Sequence, residues 1–220
     1  RPDLSIPEVR TAFEWKVFYE FAKTGIRFGD KDGPWRPHFL REIDMTQDKN
    51  LFVKHREAKN LPLIEGRMVH QYRFSAKRYI CGTGRRATWI PNPTDSIENL
   101  CPQFYVPYEQ LTESIQERTE LQRAGFCDIT GQTNERTMLA SRIPHGVVCG
   151  NKVPTITFNG AGKAHEHYID CWISIANSFT FDWLVRRITT TTLNYFLLLD
   201  LPMPPLDPCS KIGMRLAKLS

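Results

Sequence analysis

The chain has 220 residues, 41% hydrophobic and 24% charged, which is enough apolar material for a buried core and excludes a disordered tail. Its 29 Lys and Arg against 24 Asp and Glu leave a net charge of +5, an excess that favours a polyanion only where it gathers on one face. The longest apolar patches, such as residues 195–199, fall far short of the roughly 20 residues of a membrane-crossing helix, so no membrane span is expected.

A first helix is expected after Ser5, which stands in capping-box spacing to Glu8, with Pro7 at an early helical position. Val9, Phe13, Val17 and Phe21 recur every four residues as its apolar side, and Thr24-Gly25 marks its end. Residues 29–52 change to loops bearing Gly and Pro, with short extended pieces at 35–37 and 39–43. Residues 61–79 mix apolar side chains with Arg, His and Gln in an extended pattern, and the flexible Gly82-Thr83-Gly84 leads into Arg85-Arg86. Prolines interrupt 91–107 and leave Tyr105-Val106 as a short strand. Pro107 opens the next expected helix, Leu111, Ile115 and Leu121 supply its apolar side, and Gly125 closes it. Strands are expected over 136–143 and 153–158, where Thr155, Thr157 and Phe158 suit extended backbone. Tyr168, Trp172, Ile175, Phe179 and Trp183 then recur at helical spacing, as one helix or as two broken near Asn177-Ser178. The apolar, proline-limited 197–205 reads as an extended strap.

Six cysteines, Cys81, Cys101, Cys127, Cys149, Cys171 and Cys209, are widely spaced with no C-x-x-C pair, so a reduced, cytoplasmic protein with mostly buried thiols is expected. The opening Arg1-Pro2-Asp3-Leu4-Ser5, without an initiating Met, fits a fragment or a processed chain. No phosphate-binding loop and no nucleophile elbow is present. Glu57-Ala58-Lys59, with Asp44 or Asp48 upstream, can be arranged as a nuclease metal centre, although Glu-x-Lys is common on charged surfaces. On a helix His167 and Cys171 share a face beside His165, as part of a zinc site or as polar-edge histidines around a core cysteine. Residues 67–89 carry Arg67, Arg73, Lys77, Arg78, Arg85 and Arg86 without one acidic residue. Such a run reads as a nucleic-acid surface or as an ordinary solvated face.

Four segments, taken in order, carry a family resemblance. They are Asp44-Met45-Thr46 with Asp48 and Leu51-Phe52, then residues 63–72 (LIEGRMVHQY), residues 133–140 (TNERTMLA), and residues 177–186 (NSFTFDWLVR). Across residues 35–205 the chain resembles the C-terminal target-recognition region of adenine-specific (N6) DNA methyltransferases, including fused restriction-methylation enzymes and related phage-defence methyltransferases. The resemblance implies an α+β fold: a strand-rich DNA target-recognition core over 35–162, braced by an N-terminal helix and connector (1–34), a middle helix, and a C-terminal helical segment and strap (163–220). It also implies double-stranded DNA as partner, alongside an upstream methyltransferase domain and candidate restriction or defence subunits. S-adenosylmethionine and methyl transfer belong to that longer parent. The Asn/Asp-Pro-Pro-aromatic segment of an adenine pocket is absent here, and Met203-Pro204-Pro205-Leu206 lacks its flanking residues. No cofactor and no catalytic residue is therefore assigned to this chain.

Within that frame Arg67, Arg73, Lys77, Arg78, Arg85 and Arg86 are the expected phosphate contacts. His70 and Gln71 either approach base edges or form a polar network on a sheet edge. Asn134, Glu135 and Arg136 form a second group, in which Arg136 meets phosphate and Glu135 orients it, or a purely structural turn. Arg142, Asn151 and Lys152 make a weaker secondary surface. Trp172 and Trp183 read as core. A protein-interaction scaffold with little direct DNA contact is the competing reading.

Overall fold

The computed structural model describes residues 8–220, so the expected Ser5 cap lies outside the described residues. The helices are α1 (Ala12–Thr24), α2 (Glu113–Thr119), α3 (His165–Ala176), α4 (Phe179–Arg186), α5 (Tyr195–Leu199) and α6 (Lys211–Ala217). The first strands are β1 (Ile26–Arg27), β2 (Pro37–Leu40), β3 (Asn60–Ile64), β4 (Lys77–Cys81), β5 (Thr88–Pro91) and β6 (Tyr105–Pro107). They are followed by β7 (Arg123–Phe126), β8 (Ala140–Ile143), β9 (Val148–Cys149), β10 (Thr155–Phe158) and β11 (Pro202–Met203). Helices combined with several small sheets make this an α+β fold, as expected. Among the described residues no helix is long and apolar enough to cross a membrane.

Two compact units divide the chain. One takes the described residues through Phe39, then Asp128–Met138 and Thr157–Ser220; the other takes Leu40–Cys127 and Leu139–Ile156. These interleaved bounds differ from the expected division after residues 34 and 162, because the 128–138 segment is bonded to α4.

In the first unit α1 begins at Ala12 rather than after Ser5. Thr11 caps it by accepting the Glu14 N–H at 3.1 Å. Phe18 is its buried residue; of the Val9-Phe13-Val17-Phe21 series Val9, Val17 and Phe21 are half-buried, while Phe13 is 74% exposed and lies off the core face. The helix ends at Gly25 as expected, because a Cβ there would stand 2.7 Å from the Pro202 Cβ. β1 pairs antiparallel with β11. The core is aromatic: Phe28 stacks on Trp172 at 6.3 Å and meets Trp35 edge-on at 6.2 Å, with Phe158 and Tyr168 beside them. Each such buried side chain contributes about 1.5–3 kcal/mol. Trp183, by contrast, is half-buried with the Arg187 guanidinium 5.0 Å over its ring. The helical stretch does break near Asn177-Ser178, where Ser178 caps α4 by accepting the Phe181 N–H at 3.1 Å. α6 packs on α3, and the Ser174 hydroxyl donates to the Leu216 carbonyl at 2.7 Å. The expected extended strap instead holds the end of α5 and the short β11.

In the second unit β3 lies antiparallel to β6 and parallel to β9. β7 runs antiparallel between β10 and β8, and β4 and β5 form a hairpin. The expected helix from Pro107 to Gly125 is shortened: α2 stops at Thr119, and residues 123–126 are the buried strand β7. Gly125 serves close packing there, since a Cβ would stand 2.7 Å from Ile143 Cγ1. Ile64, Met68, Val69, Ile143, Val147 and Val153 belong to one apolar cluster, and Ile43, Leu63, Val106 and Val148 to another.

A polar knot is buried in this unit. Arg123 donates to Glu42 from Nε at 2.6 Å and from Nη2 at 2.9 Å, and the Glu42 carboxylate also accepts the Cys149 N–H and the Thr155 hydroxyl. Burial opposes the Arg123 charge most, but Glu42 and Cys149 together outweigh it and hold the pKa above the ordinary arginine value. Arg118, bonded to Thr155, is pushed down to about 10 by burial against the pull of Glu42.

Candidate nucleic-acid interface

Residues 66–92 form one continuous device in the second unit. Gly66–Met68 makes a single tight helical turn, a two-residue turn follows at Gln71-Tyr72, and the β4–β5 hairpin completes it. The turn closes by reciprocal bonds: the His70 N–H donates to the Arg73 carbonyl at 2.8 Å and the Arg73 N–H returns to the His70 carbonyl at 3.1 Å. The hairpin base is tied by the Asn92 N–H to the Ala76 carbonyl at 2.9 Å. At its far end, residues 82–87 coil into another tight turn with Gly82 at φ +88° and Gly84 at φ +54°. A Cβ on Gly82 would lie 2.4 Å from the Arg86 carbonyl oxygen, so this loop shape requires glycine there. The loop is further tied by the Tyr79 hydroxyl, which donates to the Gly82 carbonyl at 2.6 Å.

This geometry sorts the expected phosphate contacts. Lys77, Arg85 and Arg86 are exposed, and among the described residues their side chains make no hydrogen bond or ion pair. Arg67 is exposed too, with its guanidinium 5.2 Å over the Trp89 ring and Nε 3.6 Å from Glu65. The acid-free run thus has an acid at its border. Arg78 is half-buried, with Nε enclosed and unpartnered. Arg73 is a correction: its guanidinium donates to the Asn92 carbonyl, and Asp95 lies close by, accepting the Phe74 and Ser75 N–H groups. That arginine braces the hairpin base and is not presented to a ligand. His70 is exposed and Gln71 half-exposed beside it.

The second expected group lies in the first unit and is built differently. Asp182 on α4 accepts the Thr137 and Met138 N–H groups, both at 2.7 Å, and pairs with Arg186 at 3.1 Å and Arg136 at 3.6 Å. Arg136 also donates to the Asn177 carbonyl at 2.5 Å and lies 4.5 Å over the Phe179 ring. Its charge is spent inside the fold, which overturns the expected phosphate contact. Asp182 orients it, not Glu135, which offers only its backbone carbonyl to Arg186 at 3.0 Å. Asn134 remains exposed, with its amide 3.3 Å from the Thr130 hydroxyl.

The third group is corrected in the same way. Arg142 donates to Gln122, Asn151 donates to Asp44 at 3.1 Å and accepts from Arg41 through its carbonyl, and Lys152 is half-buried near Asp44. These residues hold the second unit together and form no free basic surface.

Two other motifs resolve into structural roles. Asp44 accepts the Thr46 and Gln47 N–H groups, which hold its carboxyl below the usual range, and Lys59 pairs with Glu109. Cys171 is buried and pushed up to about 12 by burial, whereas His167 is exposed. Among the described residues no three metal-ligating side chains gather. A cavity of about 420 Å³ is lined by Phe21, Ile175, Phe181, Leu184, Met203 and the 204–205 prolines, among others. Its lining is apolar apart from Thr24, Ser174, Ser178 and Thr180.

Tyr72 was not singled out in the sequence. Its signal was an aromatic next to His70-Gln71 within the acid-free run. No protein-family model matches the chain, and a search of curated proteins finds no similar one.

Proposed function

We propose that this chain recognises double-stranded DNA in a sequence-selective way and positions an adenine for N6 methylation by a separate catalytic domain of a restriction-modification or defence methyltransferase. The carrying observation is the β4–β5 hairpin, which exposes Lys77 at its base and Arg85 and Arg86 on a loop shaped by Gly82, none of them with an acidic partner among the described residues. Long cations held on an ordered loop reach phosphates and release counterions at a smaller ordering cost than a floppy tail. The resemblance of the four ordered segments supplies the adenine and the methyl transfer, and S-adenosylmethionine belongs to the catalytic domain. The testing experiment selects duplexes from a randomised library and measures their affinity against salt. Preference among sequences with a steep salt dependence is expected; equal, negligible affinity across the library would overturn the reading.

One observation favours a scaffold as the second reading. α1 exposes Phe13, Trp15 and Tyr19 at 74%, 51% and 52%, more aromatic surface than a helix facing only water retains. Hydrogen exchange in the presence of DNA and of the full-length parent separates the two: protection confined to α1 favours the scaffold.

A further inference from the structure

We propose that Tyr72 is the residue through which the hairpin device reads bases, packing its ring against the bases of one duplex step while Arg85 and Arg86 hold the backbone. This rests on the DNA-binding reading above. Tyr72 and Arg36 are the non-glycine residues with positive φ among the described residues, and Tyr72 stands at +61°. A bulky aromatic is disfavoured in the left-handed region, so packing geometry must over-determine the turn. It does: the reciprocal His70–Arg73 bonds close it, the Tyr72 N–H donates to the Ala140 carbonyl at 2.9 Å, and Arg73 is anchored to Asn92.

Among the described residues no polar or ring contact of the side chain offsets that strain. Tyr72 is 44% exposed, and among the described residues its phenol has no hydrogen bond and its ring no aromatic or cationic contact. Folding alone would be served better by Gly or Asn at this φ. Strain kept for an outward, unpartnered aromatic points to a ligand. The ligand class follows from the surroundings. Exposed His70, two residues before Tyr72 in the same turn, carries ring nitrogens of the kind that hydrogen-bond base edges. Residues 74–81 separate this turn from the loop of Arg85 and Arg86, and the five of them in β4 alone span about 16 Å at the rise of a strand. A major groove is about 12 Å wide, so a turn in the groove and a loop on the flanking phosphates are compatible.

The test compares wild type, Y72N and the R85A/R86A double variant on the selected duplex and on a randomised one. Y72N is expected to lower the preference for the selected duplex by about 10- to 100-fold, the range of one good base contact. Its affinity for random duplex and its salt slope stay unchanged, and its melting temperature holds or rises by about 2–4 °C as the strain is relieved. A Y72N protein that keeps the preference, or that melts lower than wild type, overturns the Tyr72 assignment and leaves DNA binding standing. A wild-type protein without duplex affinity overturns both.

Discussion

Two arginine-bearing segments of this chain carry the same expectation of phosphate contact and are opposites in structure. The hairpin loop of residues 82–87 leaves Arg85 and Arg86 exposed and without partners among the described residues, whereas the 131–138 segment gives Arg136 to Asp182, to the Asn177 carbonyl and to the Phe179 ring. An arginine committed to a buried carboxylate and a carbonyl has its charge neutralised inside the protein and contributes to the fold. One standing on an ordered loop has five donors left for a phosphate. The local density of basic residues is therefore a poor guide to charged surface until their acceptors are known.

The sharpest way to break the comparison is Asp182→Ala. It strands Arg136 and Arg186 and removes the acceptor of two buried N–H groups, so unfolding free energy should fall by about 3–5 kcal/mol in urea denaturation. A loss below about 1 kcal/mol would mean that the clamp is ornamental. Next comes Gly82→Ala, which puts a Cβ into the Arg86 carbonyl at a left-handed φ. It should cost about 1–2 kcal/mol and weaken duplex binding by displacing both arginines.

Arg85→Ala with Arg86→Ala tests the opposite pole. Stability should stay within about 0.5 kcal/mol, while the slope of log affinity against log salt shrinks by about 0.9 for each phosphate that is no longer neutralised. An unchanged slope would remove the hairpin from the interface.

The smallest effect concerns Glu65, at the border of the basic run. Burial raises its carboxyl pKa above 4.5 against the pull of Arg67. The folded state then holds the proton more tightly than the unfolded one, so stability declines as pH rises from 4.5 through the raised value. Glu65→Gln should flatten that decline in urea midpoints measured across the acid range, and a curve identical to wild type would contradict it.

Several elements were legible because their signals are local. Thr24-Gly25 stops α1, Ser178 caps α4, and Thr155 to Phe158 is a strand, each through chemistry within a few residues. Where the readings failed, distant groups decided. Phe13 and Phe18 are equally apolar on the same helix, yet only Phe18 is buried. Gly125 resembled a helix stop and is instead the close-packing point of β7 under Ile143. In the candidate site, the acid-free run found Lys77, Arg85 and Arg86 but could not exclude Arg73. It also passed over Tyr72, whose significance lies in a backbone angle that composition does not reveal.

From sequence alone came the mix of helices and small sheets, the caps and turns, and a basic run free of acids, since each depends on neighbours along the chain. Tertiary structure decided which charges are spent. Asp182 lies 46 residues from Arg136 in the chain and Glu42 lies 81 from Arg123, and only folding brings carboxylates that remote within reach of a guanidinium.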